Sequence, residues 1–170
     1  MFSLISCASF SIAKDPNKIN EDSVLLPISL HHGYICAVAD GVGSYKGAKE
    51  ASKLVTDFLM TLKNDKLESH FNIDSIFNSI KDKIDNLSNV NSDFQEAATT
   101  LTFYYIDNLG IHIGHIGDSR LYIKNNSKLI QVTKDHTRHQ QLLDAQLYTA
   151  KQLKKISGKN ILTTALSSKI

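Results

Sequence analysis

The stretch "AVADGVGSYKG", residues 37–47, places an aspartate where an apolar strand meets a glycine-rich loop. Asp40 follows the mostly apolar run 34–39, and Gly41, Gly43 and Gly47 come after it. A carboxylate at the end of a buried strand is costly unless it is hydrogen-bonded, paired or bound to a cation. Three interpretations of this loop are therefore open: a phosphate-binding loop, a metal site or an ordinary turn.

The spacing of the glycines argues against the first interpretation. It reads G-x-G-x-x-x-G, one residue longer than the dinucleotide fingerprint, and it lacks the Gly-Lys-Ser/Thr ending of a P-loop. Asp40 and the carbonyl group of Gly41 instead offer the hard oxygen ligands that divalent cations prefer. An ordinary Asp-Gly turn remains open for this loop taken alone.

Two further acidic turns favour the metal site. "NED" (20–22) precedes a predicted strand, and "GDSR" (117–120) lies between two others. Each taken singly is typical of a turn, because aspartate there usually binds its own backbone. Three acidic turns at strand ends can converge at one sheet edge, and such an all-oxygen cluster suits Mg²⁺ or Mn²⁺ better than zinc.

Periodicity along the chain predicts an α+β protein. Strands are predicted at 3–10, 23–28, 33–39, 99–106, 111–116, 120–124 and 128–132. Apolar stripes at helical spacing predict helices over 51–62 and 73–87, the second capped by Asn72, and shorter helices over 139–147 and 149–156. Thr149 and Gln152 are predicted to form a capping box at the last of these. The short links "DNLG", "GDS" and "NNS" predict an antiparallel meander of the later strands.

Composition excludes some classes of function. The 170 residues predict a single domain over 1–170, and a net charge of +2 without a basic block gives no reason to expect a nucleic-acid partner. No apolar run approaches the length of a membrane span, and the N-terminus has no basic region of the kind that opens a secretory signal. These features predict a cytoplasmic protein without a membrane partner.

The motifs, taken in order, resemble a known family. "NEDS", "VADGVGSYKGAKEAS", "TTLT", "HIGDSRLYI", "QVTKDHT" and "NILTTAL" are similar to the metal-dependent protein phosphatases of the PP2C or PPM family in their bacterial form, over about residues 11–166. The resemblance implies an antiparallel β-sandwich flanked by α-helices on both faces. It also implies hydrolysis of phosphoserine and phosphothreonine in proteins, by a water molecule that two Mn²⁺ or Mg²⁺ ions activate.

The resemblance assigns roles to four residues. Asp40 matches the catalytic aspartate that bridges both ions, and the Gly41 carbonyl matches a ligand of one ion. Glu21 falls on the acidic position near the second ion, and Asp118 matches the aspartate of a third, weaker metal site. The implied partners are phosphorylated proteins, with the enzyme opposing a serine/threonine kinase.

Two departures from the family pattern concern the substrate. Asn17 stands where many members have a phosphate-binding arginine, so the neighbouring Lys18 is the weak candidate for this contact, with Lys14 close by. Val42 and Tyr45 occupy the positions where many members carry a histidine proposed as general acid. Protonation of the leaving group is then open between metal-bound water, Tyr45 and Lys46.

A third departure concerns the C-terminal end. Family members continue past "NILTTAL" with an Asp-Gly and an Asp-Asn motif, so the domain and its second metal site are expected to be incomplete here. The segment 159–170 is expected to pair with a strand that this chain lacks, leaving Ile161, Leu162 and Leu166 poorly covered and favouring self-association. The alternative function is a catalytically weak or inactive phosphatase-like module that binds a phosphoprotein or another partner.

The remaining polar candidates are given structural roles. His112 and His115 are three apart on a predicted strand, so they point to opposite faces and are not expected to share a metal. His136 and His139 are predicted to have capping or surface roles. Arg120 is predicted to form a salt bridge that fixes the "GDSR" turn.

Overall fold

Four antiparallel strands form the central sheet of the computed structural model, which describes residues 6–30, 32–42, 46–64, 71–153, 155–158 and 160–168. The strands of this sheet follow the order β1-β2-β4-β5, and two two-stranded sheets, β3-β8 and β6-β7, accompany it. The strands are β1 (Asp22–Leu30), β2 (Gly33–Asp40), β3 (Ala98–Thr99), β4 (Leu101–Asp107), β5 (Gly110–Ile116), β6 (Tyr122–Asn125), β7 (Lys128–Gln131) and β8 (Leu166–Ser167). The helices are α1 (Ala48–Thr61), α2 (Ile73–Val90), α3 (Arg138–Asp144) and α4 (Ala150–Leu153).

The predicted helices form where their apolar stripes place them. α1 starts after Gly47, whose φ of 90° is the left-handed conformation that glycine adopts without strain. Asn72 caps α2 by accepting a hydrogen bond from the Ser75 amide, as predicted. The capping box at α4 is also confirmed: the Thr149 amide donates to Gln152 Oε1, and the Gln152 amide donates to Thr149 Oγ1.

The hydrophobic core lies between one face of the central sheet and helices α1 and α2. Alternate residues of β2 and β4 point toward the helices and are buried, as the period of two in a strand requires. Phe103 on β4 is 1% exposed and packs near Phe77 of α2, with ring centroids 5.7 Å apart. Burial of such a ring stabilises the fold by about 1.5–3 kcal/mol. The core therefore fixes β2 and β4 side by side at the centre of the sheet.

Gly114 makes room for that ring. It is the direct partner of Phe103 in the β4–β5 register, and a Cβ atom at this position would lie 2.2 Å from the phenyl ring. Only a residue without a side chain fits under an aromatic ring at that distance.

The opposite face of the sheet carries apolar side chains that remain accessible. Val24 and Val38 are cross-strand partners and are 37% and 41% exposed, and Leu26 is 52% exposed. On the separate β6–β7 hairpin, Leu129 is 70% exposed. Exposed apolar surface of this kind is a common basis for association between chains.

The predicted meander is wrong at the "GDS" link. β4 and β5 pair as a hairpin and so do β6 and β7, but β5 and β6 belong to different sheets. Gly117 adopts a φ of 113°, and a Cβ at this position would lie 2.4 Å from the Thr100 side chain. The short link therefore carries the chain out of the central sheet, whereas a tight turn would have returned it along β5.

Two other predictions about the chain ends need correction. Residues 6–10 of the predicted first strand contain no strand, and residues 3–5 lie outside the described residues. Leu166 was expected to be poorly covered, but it lies in β8 against β3 and is 7% exposed within the core. Ile161 is 57% exposed, in line with the prediction. No helix in the described ranges combines the length and apolar character needed to cross a membrane.

Candidate active site

Asp40 lies at the end of β2, where its backbone is held by the strand-like segment 98–100. The Asp40 amide donates to Thr100 Oγ1 at 3.1 Å, and the Asp40 carbonyl accepts from the Thr100 amide at 2.8 Å and from Thr99 Oγ1 at 3.0 Å. Thr99 and Thr100 are both buried. These bonds fix the main chain of Asp40 while leaving its carboxylate at the open end of the strand.

Gly41 continues this segment into a crowded position. A Cβ atom here would lie 2.5 Å from the carbonyl oxygen of Ala48 and 2.7 Å from that of Glu21. The Gly41 amide donates to the Glu21 carbonyl at 3.2 Å. The Asp-Gly pair therefore reflects close packing of three backbone segments around the end of β2.

Asp22 is the carboxylate that faces Asp40 across the sheet. The two residues are direct partners in the β1–β2 register, and their side chains are hydrogen-bonded. The sequence analysis selected Glu21 at this motif and omitted Asp22. Predicting this contact requires knowing that β1 and β2 pair with these two residues opposite each other.

Glu21 and Asp118 line the same pocket as Asp40. This open pocket has a volume of about 860 Å³, and five acidic residues line it together with Lys14 and Lys18: Asp15, Glu21, Asp22, Asp40 and Asp118. The Glu21 backbone is fixed because its carbonyl accepts a 2.5 Å hydrogen bond from Ser52 Oγ of α1. The structure thus brings the predicted residues Glu21, Asp40, Gly41 and Asp118, and also Lys18, to one pocket.

The negative charge of this pocket shows in the pKa of Asp40. Partial burial is the largest cause that raises the pKa of this carboxyl to about 6, and the charge and hydrogen bond of Asp22 raise it further, followed by the charges of Asp118 and Glu21. A bound cation would relieve the part of this shift that comes from the neighbouring negative charges. Carboxylate oxygens are also the donors that Mg²⁺ and Mn²⁺ prefer.

The carboxylates do not form a closed cage. Among the residues that the structure describes, no three acidic, histidine or cysteine side chains converge closely enough to enclose a metal ion. The donor set fits a hard divalent cation in its chemistry, and water would have to supply the remaining ligands.

The "GDSR" turn that carries Asp118 is fixed from its far side. Arg120 forms a forked ion pair with Asp135, with Nε 2.8 Å from Oδ1 and Nη2 2.5 Å from Oδ2. The Asp135 side chain is 10% exposed, and the Arg120 guanidinium lowers its pKa. The prediction that Arg120 fixes this turn through a salt bridge is confirmed.

Lys14 and Lys18 lie at the rim of the pocket on a structured loop. The Asn17 amide donates to Asp15 Oδ1 at 2.9 Å, and the Lys18 amide donates to the Asp15 carbonyl at 3.0 Å, which forms a compact turn. Lys46, a candidate proton donor, forms an ion pair with Asp93, in which Lys46 Nζ lies 3.2 Å from Asp93 Oδ1. Val42 also lines the pocket, and Tyr45 falls outside the described residues.

Comparison with known proteins identifies the family. The family profile described as protein phosphatase 2C matches residues 14–154. This chain belongs to the protein phosphatase 2C family. The resemblance is therefore confirmed, and the motifs that carried it lie within the matched range except for "NILTTAL" (160–166), which follows it.

Solved structures of bacterial phosphatases share the fold. The serine/threonine phosphatase PstP of Mycobacterium tuberculosis is 28% identical and superposes with a TM-score of 0.82, covering 95% of this chain and 67% of that one. The serine/threonine phosphatase Stp1 of Staphylococcus aureus, at 22% identity, also gives a TM-score of 0.82, covering 94% of this chain and 65% of that one. The predicted mixed fold of antiparallel sheets and helices is confirmed over most of the chain.

A further PstP structure contains manganese. The catalytic domain of PstP in complex with two manganese ions is 28% identical, with a TM-score of 0.74 and coverage of 96% of this chain and 67% of that one. By sequence, this chain spans 28% of full-length PstP, and it spans 57% of a Mycoplasma pneumoniae relative to which it is 28% identical over 158 residues. The chain thus corresponds to about two thirds of the solved phosphatase domains.

Proposed function

We propose that this chain is a phosphatase of phosphoserine and phosphothreonine in proteins, and that it depends on Mn²⁺ or Mg²⁺. The observation that carries the proposal is one pocket in which Glu21, Asp22 and Asp118 accompany Asp40, whose pKa is raised to about 6. Like charges held together at the rigid ends of strands repel one another unless a cation neutralises them. This is the arrangement expected for a cation-dependent site.

Asp40 is the residue best placed to hold a cation. Its backbone is fixed by Thr99 and Thr100, and the Gly41 carbonyl follows directly. Asp22 and Glu21 would bind a second ion directly or through water, and Asp118 would serve a separate, weaker site. Divalent ions at such oxygen donors lower the pKa of a water molecule and neutralise phosphoryl oxygens. Because few protein ligands are available, we expect weak binding.

Lys14 and Lys18 would attract the phosphate group of the substrate. They are the two lysines that line the described pocket beside its carboxylates, and the turn at Asp15 holds the Lys18 backbone. An ammonium group binds phosphate as a point charge and lacks the fork of a guanidinium. We therefore expect modest affinity for small phosphate esters and a preference for phosphoproteins, the products of serine/threonine kinases.

Phosphate release from three matched peptides tests the proposal. Peptides that differ only in phosphoserine, phosphothreonine or phosphotyrosine are incubated with the chain in Mn²⁺, in Mg²⁺ and in EDTA. We expect release from the first two peptides with either metal, none in EDTA, and none by the Asp40→Asn variant. Lys151→Ala, a change on the exposed side of α4, is the matched control.

Two results would contradict the proposal. One is equal release by Asp40→Asn and the wild type, since the residue that carries the argument would then be dispensable. The other is no release from any peptide by a chain whose circular dichroism shows that it is folded and whose calorimetry shows that it binds Mn²⁺.

A further inference from the structure

The turn that carries Asp118 is clamped by a histidine outside the described pocket. The Gly117 amide donates to Nδ1 of His136 at 3.1 Å, and the Gly117 carbonyl accepts from the His136 amide at 2.8 Å. One residue of the turn is thus bound in both directions by one residue from a segment 19 positions later in the chain. The predicted capping or surface role of His136 missed this contact.

The direction of the first hydrogen bond fixes the state of the His136 ring. A backbone amide can only donate, so Nδ1 must be unprotonated and Nε2 must carry the ring proton. The His136 carbonyl also accepts from the Thr163 amide at 2.9 Å, and the following residue, Thr137, caps α3. The ring is therefore held on a backbone that is itself anchored on two sides.

A second histidine supports the other end of the turn. Nε2 of His115 donates to the Lys134 carbonyl at 3.0 Å, and its Nδ1 lies 2.8 Å from Thr102 Oγ1. Thr102 Oγ1 also lies 3.0 Å from the Ser119 carbonyl, so its one proton is donated either to this carbonyl or to Nδ1 of His115, and the rings of His115 and His136 have centroids 4.9 Å apart. The residues on both sides of Asp118 are consequently bound to one connected network.

This network continues to Asp40. Thr100 Oγ1 accepts from the Asp40 amide at 3.1 Å and shares a 3.1 Å hydrogen bond with Ser119 Oγ. The position of Asp118 relative to Asp40 is therefore set through Thr100 on one side and through Gly117 on the other.

We propose that His136 is a positioning residue for the acidic pocket: its unprotonated Nδ1 holds the Gly117 amide and so fixes Asp118 relative to Asp40. The consequence for catalysis rests on the proposed phosphatase function, whereas the hydrogen bond itself does not. In this role His136 acts only through the turn and does not contact the substrate.

Two substitutions at His136 separate positioning from simple packing. His136→Asn places an amide oxygen near the position of Nδ1, and His136→Leu keeps a similar volume without an acceptor. We expect hydrogen exchange at the Gly117 amide of the metal-free chain, followed by NMR, to be about fivefold faster in His136→Leu and close to wild type in His136→Asn, the effect of one neutral hydrogen bond. His139→Leu on α3 is the control and should leave this exchange unchanged.

The same variants are compared in their response to Mn²⁺. We expect the Mn²⁺ concentration for half-maximal phosphate release to rise about fivefold in His136→Leu and to be restored in His136→Asn. If the wild type releases no phosphate, the proposed function fails, but the exchange measurement still decides the role of His136. Equal Gly117 exchange in His136→Leu and the wild type would overturn the proposal.

A variant that does not fold is replaced by a more conservative one. His136→Gln places its amide oxygen near the position of Nε2, away from the Gly117 amide. If His136→Leu is unfolded, faster exchange in His136→Gln than in His136→Asn supports the proposal, and equal exchange in these two variants overturns it.

Discussion

Replacing Asp40 by asparagine is expected to stabilise the metal-free chain while removing its metal affinity. Partial burial, as the largest cause, and the neighbouring Asp22, Asp118 and Glu21 together raise the pKa of the Asp40 carboxyl from 3.8 to about 6. Asparagine is neutral, has almost the same shape and can still donate a hydrogen bond to Asp22. The substitution therefore removes the repulsion without removing the contact.

The size and the pH dependence of the effect follow from linkage. Because the pKa of Asp40 is raised on folding, its contribution to stability is fully present below pH 3.8 and is lost as the pH rises through about 6. The full difference between these two pKa values corresponds to a free energy of unfolding of about 3 kcal/mol. Asp40 is partly exposed, so solvent screening reduces this to about 1–2 kcal/mol. For a chain of this size we expect a rise in Tm of about 3–6 °C for Asp40→Asn at pH 8.

Thermal unfolding in EDTA at pH 4.5, 6 and 8 measures the effect, with the pH values chosen to lie on either side of the pKa of about 6. The difference in Tm between the two proteins should be smallest at the lowest pH and should grow as the pH rises. The two chains differ only at this position, so the difference in Tm reports the removal of the Asp40 carboxylate from the acidic pocket. A Tm of Asp40→Asn at or below that of the wild type at pH 8 would refute the electrostatic reasoning.

Mn²⁺ titration by calorimetry provides the second half of this experiment. Wild type should bind Mn²⁺ and gain stability at pH 8, whereas Asp40→Asn should do neither. Protons compete with the cation for Asp40, so the wild-type affinity should fall as the pH drops below about 6. Equal Mn²⁺ affinity in the two proteins would show that Asp40 is not a metal ligand.

Four further predictions concern other parts of the molecule. Asp118→Ala should slow phosphate release but leave the tighter Mn²⁺ binding and the Tm nearly unchanged; a large loss of Tm with normal turnover per folded molecule would indicate a purely structural aspartate. Gly114→Ala should lower the free energy of unfolding in urea by about 1–3 kcal/mol, because the added methyl group meets the Phe103 ring; an unchanged midpoint would contradict the packing argument. Lys18→Ala should raise KM for a phosphopeptide about fivefold at constant kcat, the effect of one exposed charge, and an unchanged KM would remove Lys18 from the site. The chain should self-associate through its exposed apolar surface, so light scattering should show a smaller mass for Leu129→Lys than for wild type; equal masses would exclude the β6–β7 hairpin as a contact.

Sequence alone determined most of the local structure and indicated three of the acidic residues of the pocket. The helices α1 and α2 follow from their apolar stripes, and the caps of α2 (Asn72) and α4 (Thr149 and Gln152) act through contacts within four residues. Acidic turns at strand ends indicated Asp40, Asp118 and the "NED" turn, the family resemblance assigned Glu21 within that turn, and the structure places all three residues on one pocket. Local chemistry of this kind depends on neighbours along the chain, and the sequence contains it completely.

The tertiary structure decided which groups meet across the chain. Asp22 faces Asp40 because β1 and β2 pair in one register, and a shift of one residue would have turned Asp22 to the other face. The "GDS" link leaves the sheet because Gly117 packs against Thr100 and is clamped by His136. Strand register and the contacts between distant segments depend on the packing of the whole core. The spacing of residues within one segment does not specify that packing.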